Sequence, residues 1–135
     1  MTMTRSKAKR AFTALAVTMT LLGGTMSNVA VAAAPDPVQA RKDLKAMGVE
    51  YNGQEFAKAA GNGDMAAVKL FLDAGMDVNE GAGAALGLAA GRGRLDMVKF
   101  LLSKGAKPTS NALQYARTRG HKDVEKVLVD AGAKE

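Results

Sequence analysis

The feature that most constrains the fold is a segment that occurs twice. The stretch from Ala59 to Asn79 reads "AAGNGDMAAVKLFLDAGMDVN", and the stretch from Ala89 to Thr109, 30 residues later, reads "AAGRGRLDMVKFLLSKGAKPT". A weaker third copy runs from Ala116 to Glu135. Self-similarity at a period of roughly 20–50 residues is typical of stacked repeat architectures. We therefore expect a domain whose units bury one another's apolar sides.

Each copy contains two glycines that enclose an amphipathic helix. These are Gly63 with Gly75, Gly93 with Gly105, and Gly120 with Gly132. The first glycine suits a tight turn, and the second suits the left-handed residue that ends a helix. Between them, apolar residues recur at i, i+3 and i+4, as a helix requires. The pattern predicts helix pairs at about 54–61 with 64–74, 83–91 with 95–104, and 111–118 with 122–131.

The stretch from Gly83 to Thr109 resembles the ankyrin repeat pattern. The second half of that pattern is well matched, whereas only Leu86 remains of its TPLH tetrapeptide. The resemblance covers about residues 54–132. It implies an all-α ankyrin-repeat solenoid of about three helix-pair repeats, at about 51–80, 81–110 and 111–135, within a domain spanning 35–135. It also implies a protein–protein interaction module that binds through its concave face.

Residues 38–47 are predicted to form an N-terminal capping helix that ends at Gly48. Its apolar stripe is expected to include Val38 and Leu44, and Met47 is expected to pack in the core. The loops between repeats are shorter than the ankyrin pattern, so the β-hairpin finger of that family should be stunted. Three repeats are about the minimum for a stable stack, and we expect modest stability.

Residues 1–34 have the pattern of a signal peptide. Four basic residues in the first ten precede an apolar run from Ala11 to Leu22, and Ala30-Val31-Ala32 fits an A-x-A cleavage pattern. An uncleaved membrane anchor is the alternative, but the apolar run is short for a span of about 20 residues. We expect export to the periplasm or the medium, with no membrane attachment after cleavage.

The net charge gives no support for nucleic-acid binding. Nineteen Lys and Arg against 13 Asp and Glu give +6, but four of the basic residues lie in the leader and no acidic residue precedes Asp36, so the remainder carries +2. A basic patch is the usual footprint of nucleic-acid binding, and this balance is too even to predict one. The chain has no cysteine, which excludes disulfides and thiol catalysis.

No residue pattern predicts catalysis, a metal or a cofactor. The glycine-rich stretch Gly81–Gly87 resembles a nucleotide-binding loop. Such a loop needs a preceding strand and a βαβ unit, which the helix-pair pattern does not predict here. His121 is the only histidine. A metal site needs several ligands, and the ankyrin pattern has a structural histidine at this position. We therefore expect a non-enzymatic protein.

The candidate binding site is a column of residues at one repeat position. Asn62, Arg92 and Arg119 each stand just before the turn glycine, so stacking should align them on the concave edge. Further residues are expected near this column: Arg94, Thr118, Asp77, Glu80 and Lys107. Guanidinium groups bind carboxylates in bidentate fashion, so the column could hold acidic groups of a partner. The alternative is a solvated surface without a ligand.

These expectations combine into one interpretation. The sequence predicts an exported monomer that binds another protein through a preformed concave surface, which loses little entropy on docking. Two other roles stay open at this point: a periplasmic companion or protective factor for an enzyme, and a secreted effector that binds a host protein.

Overall fold

The computed structural model describes residues 34–135, which contain seven α-helices and no strand. The predicted all-α class and the three helix pairs are confirmed. The predicted signal peptide lies outside the described residues except for Ala34. The helices are α1 (Pro37–Ala46), α2 (Gly53–Asn62), α3 (Met65–Asp73), α4 (Glu80–Gly91), α5 (Leu95–Ser103), α6 (Ser110–Thr118) and α7 (Lys122–Asp130).

The second helix of each repeat ends in the same left-handed turn. Gly75, Gly105 and Gly132 have φ angles of 96°, 94° and 103°. In each case the following amide donates to a carbonyl in the last turn of the helix, as Met76 does to Phe71 at 2.9 Å. The helix α1 ends in the same way, since Gly48 has a φ of 75° and the next amide bonds back at 2.9 Å. It is therefore the second helix of an incomplete fourth repeat.

The helices form two rows. The helices α2, α4 and α6 lie side by side in one row and are called the inner helices. The helices α3, α5 and α7 form the other row and are called the outer helices, and α1 packs against α3. Small residues let the inner helices pack closely: a Cβ added to Gly61 would lie 3.2 Å from the Leu88 Cβ. The outer helices carry bulky residues such as Phe71 and Leu101.

The core lies between the two rows and is aliphatic with a small aromatic cluster. The rings of Phe56 and Phe71 are 5.5 Å apart, and Tyr51 stacks on Phe71 at 6.0 Å. Each fully buried side chain of this size stabilises the fold by about 1.5–3 kcal/mol. Met97 is buried in this core, whereas Met47 is 49% exposed, so the prediction that Met47 packs in the core was wrong.

The capping helix α1 uses a different apolar stripe from the predicted one. It buries Ala40 and Leu44, whereas Val38 is 63% exposed. Val38 lies in the first turn of α1, and its amide is bound by the Asp36 carboxylate at 3.0 Å, which caps the helix. The prediction failed because only about one turn of this short helix reaches the neighbouring repeat.

The first helix of the second repeat begins with a strained turn. Gly81, Ala82 and Gly83 have φ angles of 63°, 57° and 81°, all in the left-handed region. Ala82 is the only residue other than glycine with a positive φ among residues 34–135. This turn connects the short loop after α3 to the regular part of α4, in the place where the family's hairpin finger was expected to be stunted.

Candidate functional site

The exposed side of the inner helices carries three rows of equivalent residues. Successive rows are four residues apart, so they lie on one face of each helix at successive turns. We call this surface the inner face. Its rows are the first row (Gln54, Ala84, Asn111), the middle row (Lys58, Leu88, Tyr115) and the last row (Asn62, Arg92, Arg119). All nine residues are exposed except Ala84, which is half-buried.

The last row is the column predicted from the sequence, and its members lie close together. The Arg92 guanidinium donates to the Asn62 side-chain oxygen at 2.6 Å. Arg119 donates to the carbonyl of Gly91, the residue before Arg92, at 3.4 Å. The structure therefore brings the three predicted residues to one edge of the inner face.

Two further side chains bind the ends of the inner helices. The Arg94 Nε donates to the Gly61 carbonyl at 3.2 Å, and the His121 Nε2 lies 3.2 Å from the Gly91 carbonyl. These carbonyls stand at helix C-termini, where positive charge is favoured by the helix dipole. Arg94, predicted as a partner contact, holds adjacent repeats together here. His121 has the structural role expected of it.

The remaining predicted residues do not lie near the column. Asp77, Glu80 and Lys107 lie by the loops that precede α4 and α6, at the opposite end of α4 from Arg92. At 1.5 Å per residue, the helix separates the two groups by roughly 15 Å. The prediction that they flank the column was therefore wrong. Thr118 does lie beside Arg119, but its hydroxyl donates to the Gln114 carbonyl within α6.

Asn79 joins the loops of two repeats, a role that the sequence analysis missed. Its side-chain nitrogen donates to the Gly105 carbonyl at 3.2 Å, and its side-chain oxygen accepts from the Lys107 amide at 2.8 Å. The Asp77 carboxylate accepts from the Asn79 amide at 2.8 Å and orients the residue. Asn52 and Thr109, the residues that immediately precede α2 and α6, cap those helices instead. The polar residue before each inner helix was therefore the available signal.

The middle row is the second feature that the sequence analysis missed. Leu88 is 38% exposed and Tyr115 is 49% exposed, at equivalent positions of neighbouring repeats. The Tyr115 side chain lies over Gly87 and Gly91: an added Cβ would meet its ring at 3.7 Å from Gly87 and its Cβ at 3.4 Å from Gly91. The signal was present in the repeat register, because these residues stand four positions before the predicted column.

An apolar groove crosses the inner face at the level of the middle and first rows. A cleft of about 560 Å³ lies between α2 and α4, and one of about 380 Å³ lies between α4 and α6. The two clefts adjoin along α4, where Gly81, Ala84 and Leu88 line both of them, and together they are called the groove. Glu80 lines the groove next to Gly53, at the end opposite the arginines.

Arg117 does not add to the positive charge of the last row. It forms ion pairs with Glu125, at 2.8 Å, and with Glu135. The hydrogen bond to Glu125 and then that to Glu135 raise the pKa of Arg117, and the same guanidinium holds the pKa of Glu125 below its ordinary value. In contrast, none of Arg92, Arg94 and Arg119 pairs with a carboxylate among residues 34–135.

Comparison with known protein families decides the assignment. The family model for ankyrin repeats, in three copies, matches residues 56–135, which is more than half of the chain. The chain belongs to the ankyrin repeat family. No curated protein gives a significant match to it. Ankyrin repeats form a non-enzymatic interaction fold, and their presence indicates a protein–protein interaction module.

The described part of this ankyrin repeat domain shows no group suited to a metal. Among residues 34–135, no three acidic or histidine side chains converge on a point that an ion could occupy. None of the helices in that range combines the length and the apolar character needed to cross a bilayer. What the inner face offers is a groove with a charged edge, which is an arrangement suited to binding.

Proposed function

We propose that this ankyrin repeat protein is exported and binds another protein through its inner face. The binding proposal is carried by two features at successive levels of the inner face. The apolar groove with exposed Leu88 and Tyr115 lies next to Arg92 and Arg119, which form no ion pair with a carboxylate among residues 34–135. Protein interfaces are rich in Tyr and Arg, and their most important contacts cluster in the centre of a concave patch.

The rigidity of the stack supports the same proposal. Arg94 and His121 connect repeats at one end of the inner helices, and Asn79 connects them at the other end. A surface held in this way loses little conformational entropy when a partner docks. The monomeric state, predicted from the sequence, belongs to this proposal because the groove is complete within one chain.

Capture from an extract, compared between matched variants, tests the binding proposal. The immobilised chain should retain a protein, and Leu88→Ser with Tyr115→Ser should reduce its recovery at least tenfold. Val129→Ser is the control, since Val129 is 46% exposed but lies on α7, away from the inner face. Equal recovery on wild type and the inner-face variant would show that this surface is not the binding site.

Export is proposed from the leader alone and has its own test. Residues 1–34 have the charge and apolar pattern of a cleaved signal, ending in small residues near Ala32. Expression in a bacterial host followed by fractionation and intact mass measurement should find a chain that begins near residue 35 outside the cytoplasm. A full-length chain that stays in the cytoplasm would contradict export.

A further inference from the structure

The inner face changes its chemistry along the helix axis. Its start is acidic and polar at Glu80 and Gln54, its centre is apolar at Leu88 and Tyr115, and its end is basic at Arg92 and Arg119. The apolar centre and the basic end follow one another in the same order on α4 and α6, whereas the acidic residue Glu80 belongs to α4 alone. A partner that fits this face must match both the apolar centre and the basic end.

We propose that the inner face binds an extended protein segment in which a bulky apolar side chain and a carboxylate are two residues apart, in either order. This inference rests on the proposed function and specifies the chemistry of the partner. The apolar side chain lies against the middle row, and the carboxylate lies between the guanidinium groups of the last row.

The apolar half of the proposal follows from the floor of the groove. Ala84 and Gly87 present almost no side chain, so a recess forms beside Leu88 and Tyr115. These two exposed residues flank the recess from adjacent helices. Filling it with a Leu, Ile, Met or Phe side chain removes apolar surface of both partners from water, which is favourable in proportion to the area covered.

The acidic half follows from charge complementarity. A guanidinium has five N–H donors. In the described part of the chain Arg92 directs one hydrogen bond to Asn62 and Arg119 directs one to Gly91, and neither has an acidic partner. Hydrogen bonds from guanidinium to carboxylate are about twice as strong as neutral ones, and they need a planar acceptor with two oxygens. An Asp or Glu of the partner satisfies both requirements.

The spacing of two residues follows from helix and strand geometry. Leu88 and Arg92 are one turn apart on α4, so their Cα atoms are separated by about 6 Å along the axis. In an extended segment, alternate side chains point to the same side and are about 6.6 Å apart. The motif that matches the face is therefore an apolar and an acidic residue separated by one residue of any type, in either order.

A peptide segment suits the recessed shape better than a lipid surface does. An anionic membrane would also offer apolar and acidic chemistry, but a flat bilayer would meet the exposed Leu88 and Tyr115 side chains before it reached Ala84 and Gly87. The extended segment enters the groove and reaches its floor. A membrane is therefore treated as an outcome of the test.

Selection from a random peptide library tests the inference. Displayed peptides of about ten residues are panned against the immobilised full chain, and the retained sequences are compared with the unselected library. We expect severalfold enrichment of an apolar residue two positions before or after Asp or Glu. In the variant Arg92→Glu with Arg119→Glu, the preference for Asp or Glu should change to a preference for Lys or Arg, and the preference for the apolar residue should remain. Leu88→Ser with Tyr115→Ser should remove the apolar preference.

Matched controls separate the inner face from general effects of charge. Lys99→Glu with Lys126→Glu makes the same charge change at exposed positions of the outer helices, and it should leave the selected motif unchanged. Circular dichroism checks that each variant is folded, and Arg92→Gln with Arg119→Gln gives an uncharged version should the reversed pair be destabilised.

The outcomes distinguish this inference from the proposed function. If peptides are selected without the motif, or if reversal at Arg92 and Arg119 leaves the motif unchanged, the inference is overturned. If extract capture depends on the inner face but no peptide motif emerges, protein binding stands and the extended-segment inference fails. Flotation with anionic phospholipid vesicles is the last arm, and binding that is lost on the same reversal, without peptide selection, would reassign the face to a membrane.

Discussion

The contact between Gly93 and His121 makes a sharp prediction about stability. Gly93 forms the turn between α4 and α5 with a φ of 68°, and the His121 imidazole lies directly against it. A Cβ added to Gly93 would lie 2.7 Å from the imidazole Nδ1 and 2.8 Å from Cε1. The ring is held by its contact with the Gly91 carbonyl, so Gly93→Ala must break that contact or shift the turn.

The magnitude can be worked out from two contributions. A left-handed conformation costs an L-residue about 1–2 kcal/mol. Loss of the hydrogen bond of His121 costs about 1 kcal/mol more. We therefore expect Gly93→Ala to lower the free energy of unfolding by about 2–3 kcal/mol. Gly120→Ala is the matched control: its φ is 76° and an added Cβ would meet nothing within 4 Å, so only the first contribution applies.

Urea titration followed by far-ultraviolet circular dichroism measures both free energies of unfolding. The same pair of substitutions is then made in a His121→Ala background, where the imidazole is absent. The excess cost of Gly93→Ala over Gly120→Ala should be about 1 kcal/mol in the wild type and close to zero in that background. An excess that persists without the imidazole, or equal costs in the wild type, would refute the steric argument.

Three further predictions concern single positions. Gly87→Ala should raise the free energy of unfolding by about 1 kcal/mol, because the position is helical and the new methyl group would make an ordinary contact with the neighbouring aromatic ring; thermal melts check this. Asn79→Ala should lower the free energy of unfolding by about 1–2 kcal/mol, because two hydrogen bonds between repeats are lost. It should also speed hydrogen exchange at the Lys107 amide, which loses its acceptor. Glu125 has a lowered pKa in the folded state, so its contribution to stability is present above its ordinary pKa and is lost as the pH falls through the folded pKa. Glu125→Gln should flatten that part of the stability profile, and unfolding titrations across the acid range check it.

Local patterns explain why most of the fold could be predicted from the sequence. The turn and cap glycines, such as Gly63 and Gly75, report backbone conformations set by the residues themselves. The repeat register then aligned Asn62, Arg92 and Arg119, because stacking brings equivalent positions together.

What could not be predicted depends on how the helices are arranged in space. Glu80 and Lys107 stand near turns in the sequence, as Arg92 does, but they belong to the opposite ends of the helices. Leu88 fits an apolar helical pattern and reads as core until the uncovered side of α4 is known. The left-handed turn at Ala82 arises from the need to join a short loop to a helix, which no residue type specifies.

The difference in side-chain size between the inner and the outer helices has an evolutionary consequence. Gly61 and Gly91 set the distance between adjacent inner helices, while the bulky outer residues remain fixed in the core. A single methyl group at either glycine would press on Leu88 or Tyr115 and shift the neighbouring inner helix. New partner specificities are therefore within reach of one-codon changes that leave the hydrophobic interior untouched.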